Sequence, residues 1–141
     1  MTVADEQSGI CFVDSNIWLY AFIETQDARK ANIATALIQN QSIAVSTQII
    51  NEVCSNLIRK VKFSEGEARE LIQSFYDRYE VVGIDKEILI KSSELRENHN
   101  FSFWDSLVVV CAVQSGADIL YSEDMQDGFV LERTKIVNPF A

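Results

Sequence analysis

The chain has 141 residues, 48% of them hydrophobic, with five glycines, one proline and a net charge of −9 (12 Lys+Arg against 21 Asp+Glu). That length and apolar content suit one domain with a real core, and so little Gly and Pro leaves small room for linkers. The charge argues against loose nucleic-acid binding through a basic surface. No apolar run approaches the roughly 18 residues that span a bilayer, and the N-terminus lacks the basic and apolar stretches of a signal peptide.

Residues 1–9 ("MTVADEQSG") read as a polar, loose tail, and 10–141 as a single domain. "ICFVD" (10–14) is a short apolar run ending in an acid, a buried strand. "NIWLYAFI" (16–23) is helical. "DARKANIATALIQN" (27–40) opens on Asp27 as an N-cap, with apolar positions 31, 33, 34, 37 and 38 on one face. "SIAVS" (42–46) is a second strand. "QIINEVCSNLIRK" (48–60) is a helix with apolar residues at 49, 50, 53, 54, 57 and 58. "SEGEARELIQSFYDRY" (64–79) opens on Ser64 and Glu67, the pair of a capping box. "EVVGI" (80–84) is a third strand and "DKEILIKSSELRENH" (85–99) a further helix. "SFWDSLVVVCAVQSG" (102–116) is a helix apolar nearly all round, ending at Gly116. "ADILYS" (117–122) and "TKIVN" (134–138) complete about five strands.

Apolar strands alternating with helices predict an α/β fold, a mostly parallel sheet with helices on both faces. Such sheets gather ligands at the carboxyl ends of their strands. Cys11, Cys54 and Cys111 are an odd number in apolar surroundings without zinc-like spacing. They read as reduced core thiols, which suits the cytoplasm.

This topology puts four acids on one rim. Asp14 ends the first strand, Asp124 follows the fourth, Asp105 lies in the first turn of the helix leading into the fourth, and Glu52 lies about a turn into the helix after the second. Clustered carboxylates repel, and a hard cation with oxygen ligands, Mg²⁺ or Mn²⁺, is the usual remedy. Each acid alone has a plainer reading. Asp14 caps the next helix, Ser102 to Asp105 is a capping pattern, Glu52 is a solvated surface residue, and Asp124 belongs to the turn-rich "SEDMQDG". The polar face around Glu52 also carries Arg59, placed to reach a phosphate oxygen if that face lines a cleft.

Other features carry less. His99, the single histidine, follows a helix end. "RKVK" (59–62) reads as a solvated helix end. Phe101, Phe103 and Trp104 read as core, with one of them able to stack on a base at the cleft edge. Neither phosphate-binding glycine loop, GxxxxGK[ST] or GxGxxG, is present.

The blocks "FVDSNIWLYAF", "STQIINEVCSNLIRK", "FSFWDSLVVVCAVQSGADILYSEDMQDG" and "IVNPF" together resemble PIN-domain proteins, and within them the VapC-type toxins of bacterial toxin–antitoxin pairs. The resemblance runs from about residue 10 to the end. It implies a PIN-like three-layer α/β/α sandwich and a metal-dependent endoribonuclease. The family's acidic quartet falls on Asp14, Glu52, Asp105 and Asp124, with Glu123 or Asp127 able to share the role of the last. Asn16 matches the polar residue that orients the first Asp, and Ser122 the small hydroxyl residue before the last acid. The resemblance further implies one or two Mg²⁺ or Mn²⁺ ions, an RNA substrate, a cognate antitoxin protein and a homodimer through the apolar "IWLYAF" helix. Competing readings are an RNA-processing nuclease that is not a toxin, a non-catalytic PIN-like binding module, and a receiver-type domain using Asp85, which lacks the lysine partner such a domain places later.

Overall fold

The computed structural model describes residues 8–23 and 27–141. Its elements in order are β1 (Ile10–Val13), α1 (Ser15–Phe22), α2 (Ala28–Asn40), β2 (Ser42–Ser46), α3 (Thr47–Val61), α4 (Glu65–Arg78), β3 (Glu80–Val82), α5 (Lys86–Asn98), α6 (Phe103–Gln114), β4 (Ile119–Tyr121), β5 (Val130–Leu131) and β6 (Thr134–Val137). Most of the expected tail lies outside the described residues. Its last two, Ser8 and Gly9, donate their amides to the Asp118 carboxylate at 3.2 and 2.9 Å.

The helices begin where the sequence offers an oxygen to their free amides. Asp27 accepts from the Lys30 amide, Ser46 from Ile49, Ser64 from Glu67, Asp85 from Ile88 and Ser102 from Asp105. Ser64 and Glu67 form the complete reciprocal box. Helix α6 stops at Gly116, whose φ of 79° fits a residue without a β-carbon. The Gly116 amide donates to the Val113 carbonyl and the Ala117 amide to Ala112, which closes the end as a Schellman motif.

The six strands form one sheet in the order β3-β2-β1-β4-β6-β5. Pairing is parallel from β3 through β6, with Phe12 level with Ala44 on one side and Leu120 on the other. The count exceeds the expected five because Val130–Leu131 pairs antiparallel with β6. The third strand ends at Val82, two residues earlier than its apolar run suggested. The connections from β1 to β2 to β3 advance in one direction, and the connection from β3 to β4 returns. Right-handed crossovers therefore lay α1–α4 on one face and α5 and α6 on the other. Helix α1 packs on α2 and α3, α3 on α4, and α5 on α6.

Phe12, Val13, Ala44, Val45 and Leu120 fill the sheet interior without exposure. Trp18 is fully buried against Phe75 and Tyr79, and its indole N–H donates to the Val13 carbonyl at 3.0 Å. The apolar excess of α1 is thus largely covered within the chain, although Phe22 remains 43% exposed. All three cysteines are buried and free, as expected. Burial pushes the Cys11 thiol up to about 12 and that of Cys111 to about 11. Helix α6 is buried from Val108 to Ala112, but its first turn is not. Phe103 is 75% and Trp104 44% exposed, so neither is a core residue as expected; Phe101 is half-buried against Phe129. Among the described residues no helix is long and apolar enough to cross a membrane.

Candidate active site

Strand β1 connects to β2 on one side, while β4 lies on its other side. The chain diverges between these two neighbours, and at such a point α/β sheets gather ligands outside the carboxyl ends of their strands. Asp14 follows β1 there and Ser122 follows β4. The Asp14 amide donates to the Tyr121 carbonyl at 3.0 Å, which joins the two strand ends.

Asp14 is 8% exposed. One carboxylate oxygen accepts the Ser15 amide at 2.8 Å, and the other accepts the hydroxyl of Ser122, itself fully buried, at 2.9 Å. Burial pushes its pKa up to about 6. The two hydrogen bonds oppose that shift, and the charges of Glu52 and Asp105 add to it. Asp105, in the first turn of α6, is also raised, first by burial and then by the charge of Asp124, against a hydrogen bond from Ser102. These mutual effects tie the four predicted acids into one electrostatic cluster. Among the described residues no lysine or arginine forms a salt bridge with any of them.

Asn16 takes a different partner from the one expected. Both Asp14 oxygens already accept hydrogen bonds, and the Asn16 amide donates instead to Asp124. Glu123 and Asp127, the acids able to share the role of Asp124, each have a partner elsewhere. Glu123 is held by an ion pair with Lys30 and by the Tyr20 hydroxyl at 2.8 Å. Asp127 accepts the Asn138 amide at 2.9 Å and fixes the turn before β5. Lys30 also lies 5.3 Å from the Tyr20 ring centre and 5.4 Å from that of Phe140. Sequence reasoning missed this clasp, because 93 residues separate Lys30 from Glu123 and nothing local links them.

Glu52 is half-buried and accepts the Trp104 indole N–H at 2.7 Å. The Gln48 side chain, 6% exposed, donates to the Trp104 carbonyl at 3.3 Å, and its own Oε1 has no partner among the described residues. Arg59 is exposed two turns further along α3 and donates to the Asn56 side chain at 2.6 Å.

Among the described residues no three acidic, histidine or cysteine side chains stand close enough to form a ready-made ion cage. The donor set nevertheless fits a hard dication. Its donors are carboxylate oxygens, and the most buried of them is raised by dry surroundings and neighbouring negative charge. Such a group favours a cation with oxygen coordination over nitrogen- or sulfur-seeking metals.

A sequence profile for the PIN domain matches residues 11–129, which takes in all four acids. The chain belongs to the PIN-domain family. No curated protein sequence matches significantly. Several solved structures share its fold. The sarcin–ricin-loop-cleaving toxin VapC20 of Mycobacterium tuberculosis aligns with a TM-score of 0.64 at 18% identity, over 78% of this chain and 86% of that one. A toxin–antitoxin complex from Klebsiella pneumoniae aligns with a TM-score of 0.67 at 18% identity, over 92% and 97%. FitAcB of Neisseria gonorrhoeae aligns with a TM-score of 0.65 at 11% identity, over 92% and 98%. At these identities the likeness is one of fold. In this PIN domain Asp14 and Asp124 follow the neighbouring parallel strands β1 and β4, and Asp14 feels the charges of Glu52 and Asp105.

Proposed function

We propose that this PIN domain is a metal-dependent endoribonuclease and the toxin of a toxin–antitoxin pair. The observation that carries the reading is the cluster of Asp14, Glu52, Asp105 and Asp124 at the diverging strand ends, with Asp14 buried and lacking a cationic side-chain partner among the described residues. The toxin assignment is supported by shared fold with proteins described as toxins and toxin–antitoxin complexes.

Asp14, Asp105 and Asp124 would hold Mg²⁺ or Mn²⁺, with Glu52 joining directly or through water. A divalent ion bound there supplies positive charge that activates water and offsets charge building on the phosphate oxygens. The chain's own residues position the acids. Ser122 and the Ser15 amide fix both oxygens of Asp14, Asn16 holds Asp124, Ser102 starts the helix that presents Asp105, and Trp104 holds Glu52. The Lys30–Glu123 pair anchors the loop that carries Asp124. Arg59 would contact a phosphate further along the strand. In the reaction water attacks phosphorus in line, the bond to the 3′ oxygen breaks, and that oxygen takes a proton. The products are a 5′-phosphate and a 3′-hydroxyl.

The same reading makes the partner a small antitoxin protein that covers the acids, the assembly a homodimer and the compartment the cytoplasm. The test is cleavage of a panel of structured and single-stranded RNAs by purified protein with Mg²⁺, Mn²⁺ or EDTA. Cutting should require the metal and vanish in Asp14→Asn and Asp105→Asn. Full activity in either variant would remove the assignment.

A further inference from the structure

Three successive residues after β4 are each held by another part of the chain. The Ser122 hydroxyl donates to Asp14, Glu123 is bound by Tyr20 and Lys30, and Asp124 accepts from Asn16. Asn16 and Tyr20 stand one turn apart on α1, so one face of that helix grips two consecutive acids. The grip on Glu123 draws on four segments. Lys30, whose amide is fixed by the Asp27 cap, reaches it from α2, and the Tyr20 hydroxyl reaches it from α1. The Phe140 ring, beyond β6, meets the Tyr20 ring edge-on at 5.3 Å and lies 5.4 Å from the Lys30 ammonium. Phe140 is itself held, because Arg29 donates to its carbonyl at 2.7 Å. The Lys30 and Glu123 side chains are 28% and 18% exposed, so salt screens this pair less than one on the open surface.

We propose that Tyr20, Lys30, Glu123 and Phe140 form a clasp that sets the cation affinity of the site by aiming Asp124; this rests on the cation-site reading above. Glu123 and Asp124 share a planar peptide bond, so a fixed Glu123 restricts the backbone from which the Asp124 carboxylate projects. Asp124 is exposed, and an exposed side chain on a loose loop would have to be ordered by the ion itself. A ligand already held loses little freedom when the ion arrives. The clasp also balances the charge of Glu123 with Lys30, which keeps that carboxylate out of the acid cluster. Tyr20, Lys30 and Glu123 are thus positioning residues that act on the ion through Asp124.

Lys30 gives the test its sign. Removing a positive charge beside a dication site strengthens the ion's binding through Coulomb attraction alone, whereas a lost clasp weakens it. Mn²⁺ binding to the full-length apoprotein is followed by electron paramagnetic resonance for the wild type, Lys30→Met, Lys30→Arg and Tyr20→Phe. Lys30→Met and Tyr20→Phe are repeated in an Asp124→Asn background. Urea unfolding in EDTA shows that each variant is folded. Lys30→Met should weaken binding by about tenfold, the low end for removing a ligand's supporting partner. Tyr20→Phe, which alters no charge, should weaken it in the same direction, and Lys30→Arg should restore it. In the Asp124→Asn background neither Lys30→Met nor Tyr20→Phe should cause a further loss beyond about twofold. A clasp that only supported the fold would cost the same in both backgrounds.

Unchanged or tighter binding in Lys30→Met, or equal losses with and without Asp124, would overturn the clasp. Either result beside saturable binding by the wild type would leave the cation site standing. If Lys30→Met does not fold, Tyr20→Phe in the two backgrounds decides alone. A wild-type chain that binds no Mn²⁺ would remove the cation-site reading itself, and the role of the clasp with it.

Discussion

Replacing Asp14 with Asn should stabilise the metal-free protein, by an amount set by pH. Asp14 is 8% exposed, and burial, with Glu52 and Asp105 nearby, lifts its pKa from an ordinary 3.8 to about 6. As pH rises past 3.8, the unfolded chain releases this proton first, and the folded chain releases it only near 6. The stability contributed by the protonated acid is whole below 3.8, falls between the two values and is gone above about 6. At about 1.36 kcal/mol per pK unit, the folded state loses roughly 3 kcal/mol. Asn keeps the shape of the site. Its oxygen can accept the Ser15 amide, and its amide can donate to Ser122 Oγ, which then serves as acceptor. Urea unfolding in EDTA, followed by circular dichroism for both proteins, should show no gap near about pH 4. The gap should open to roughly 3 kcal/mol, on the order of 10 °C in Tm, by about pH 7. Acids remote from Asp14 cancel in the comparison. A gap that does not change with pH, or an Asn variant less stable at neutral pH, would refute the reasoning.

Ser122→Ala should act in the opposite sense. It strips a buried carboxylate of one donor and should cost about 1–3 kcal/mol at neutral pH in urea unfolding, and less where Asp14 is protonated. Ser64→Ala should cost about 1 kcal/mol through the lost capping box, with no change in RNA cleavage. The three buried thiols should resist a disulfide exchange reagent at mildly alkaline pH and react together when the chain unfolds; rapid reaction of Cys11 in the native state would contradict its burial.

Much of this was legible because local rules and the fold agree. Ser42–Ser46 was read to the residue, and the capping oxygens marked where helices begin. The four acids could be placed on one rim because a parallel α/β sheet fixes which ends of its strands point the same way. What escaped was set at long range. The two-residue β5 is the local exception: it is too short to carry a pattern, and a tight turn through Glu132, at positive φ, folds it back on β6. Asn16 reads as a partner of Asp14 two residues away, but its amide donates to Asp124, 108 residues further on. Phe103 and Trp104 share the apolar run of α6, yet the helix starts at the rim of the sheet, where no second layer covers them.

The central claim is that the four acids are one site for a divalent cation. Titration of the apoprotein with Mn²⁺, with free ion followed by electron paramagnetic resonance, tests it most directly. The account predicts saturable binding by the wild-type chain, competed by Mg²⁺ and weakened by more than about tenfold in Asp14→Asn and in Asp105→Asn, at least the loss caused by removing a ligand's supporting partner. Equal affinity in the wild type and Asp14→Asn would contradict it.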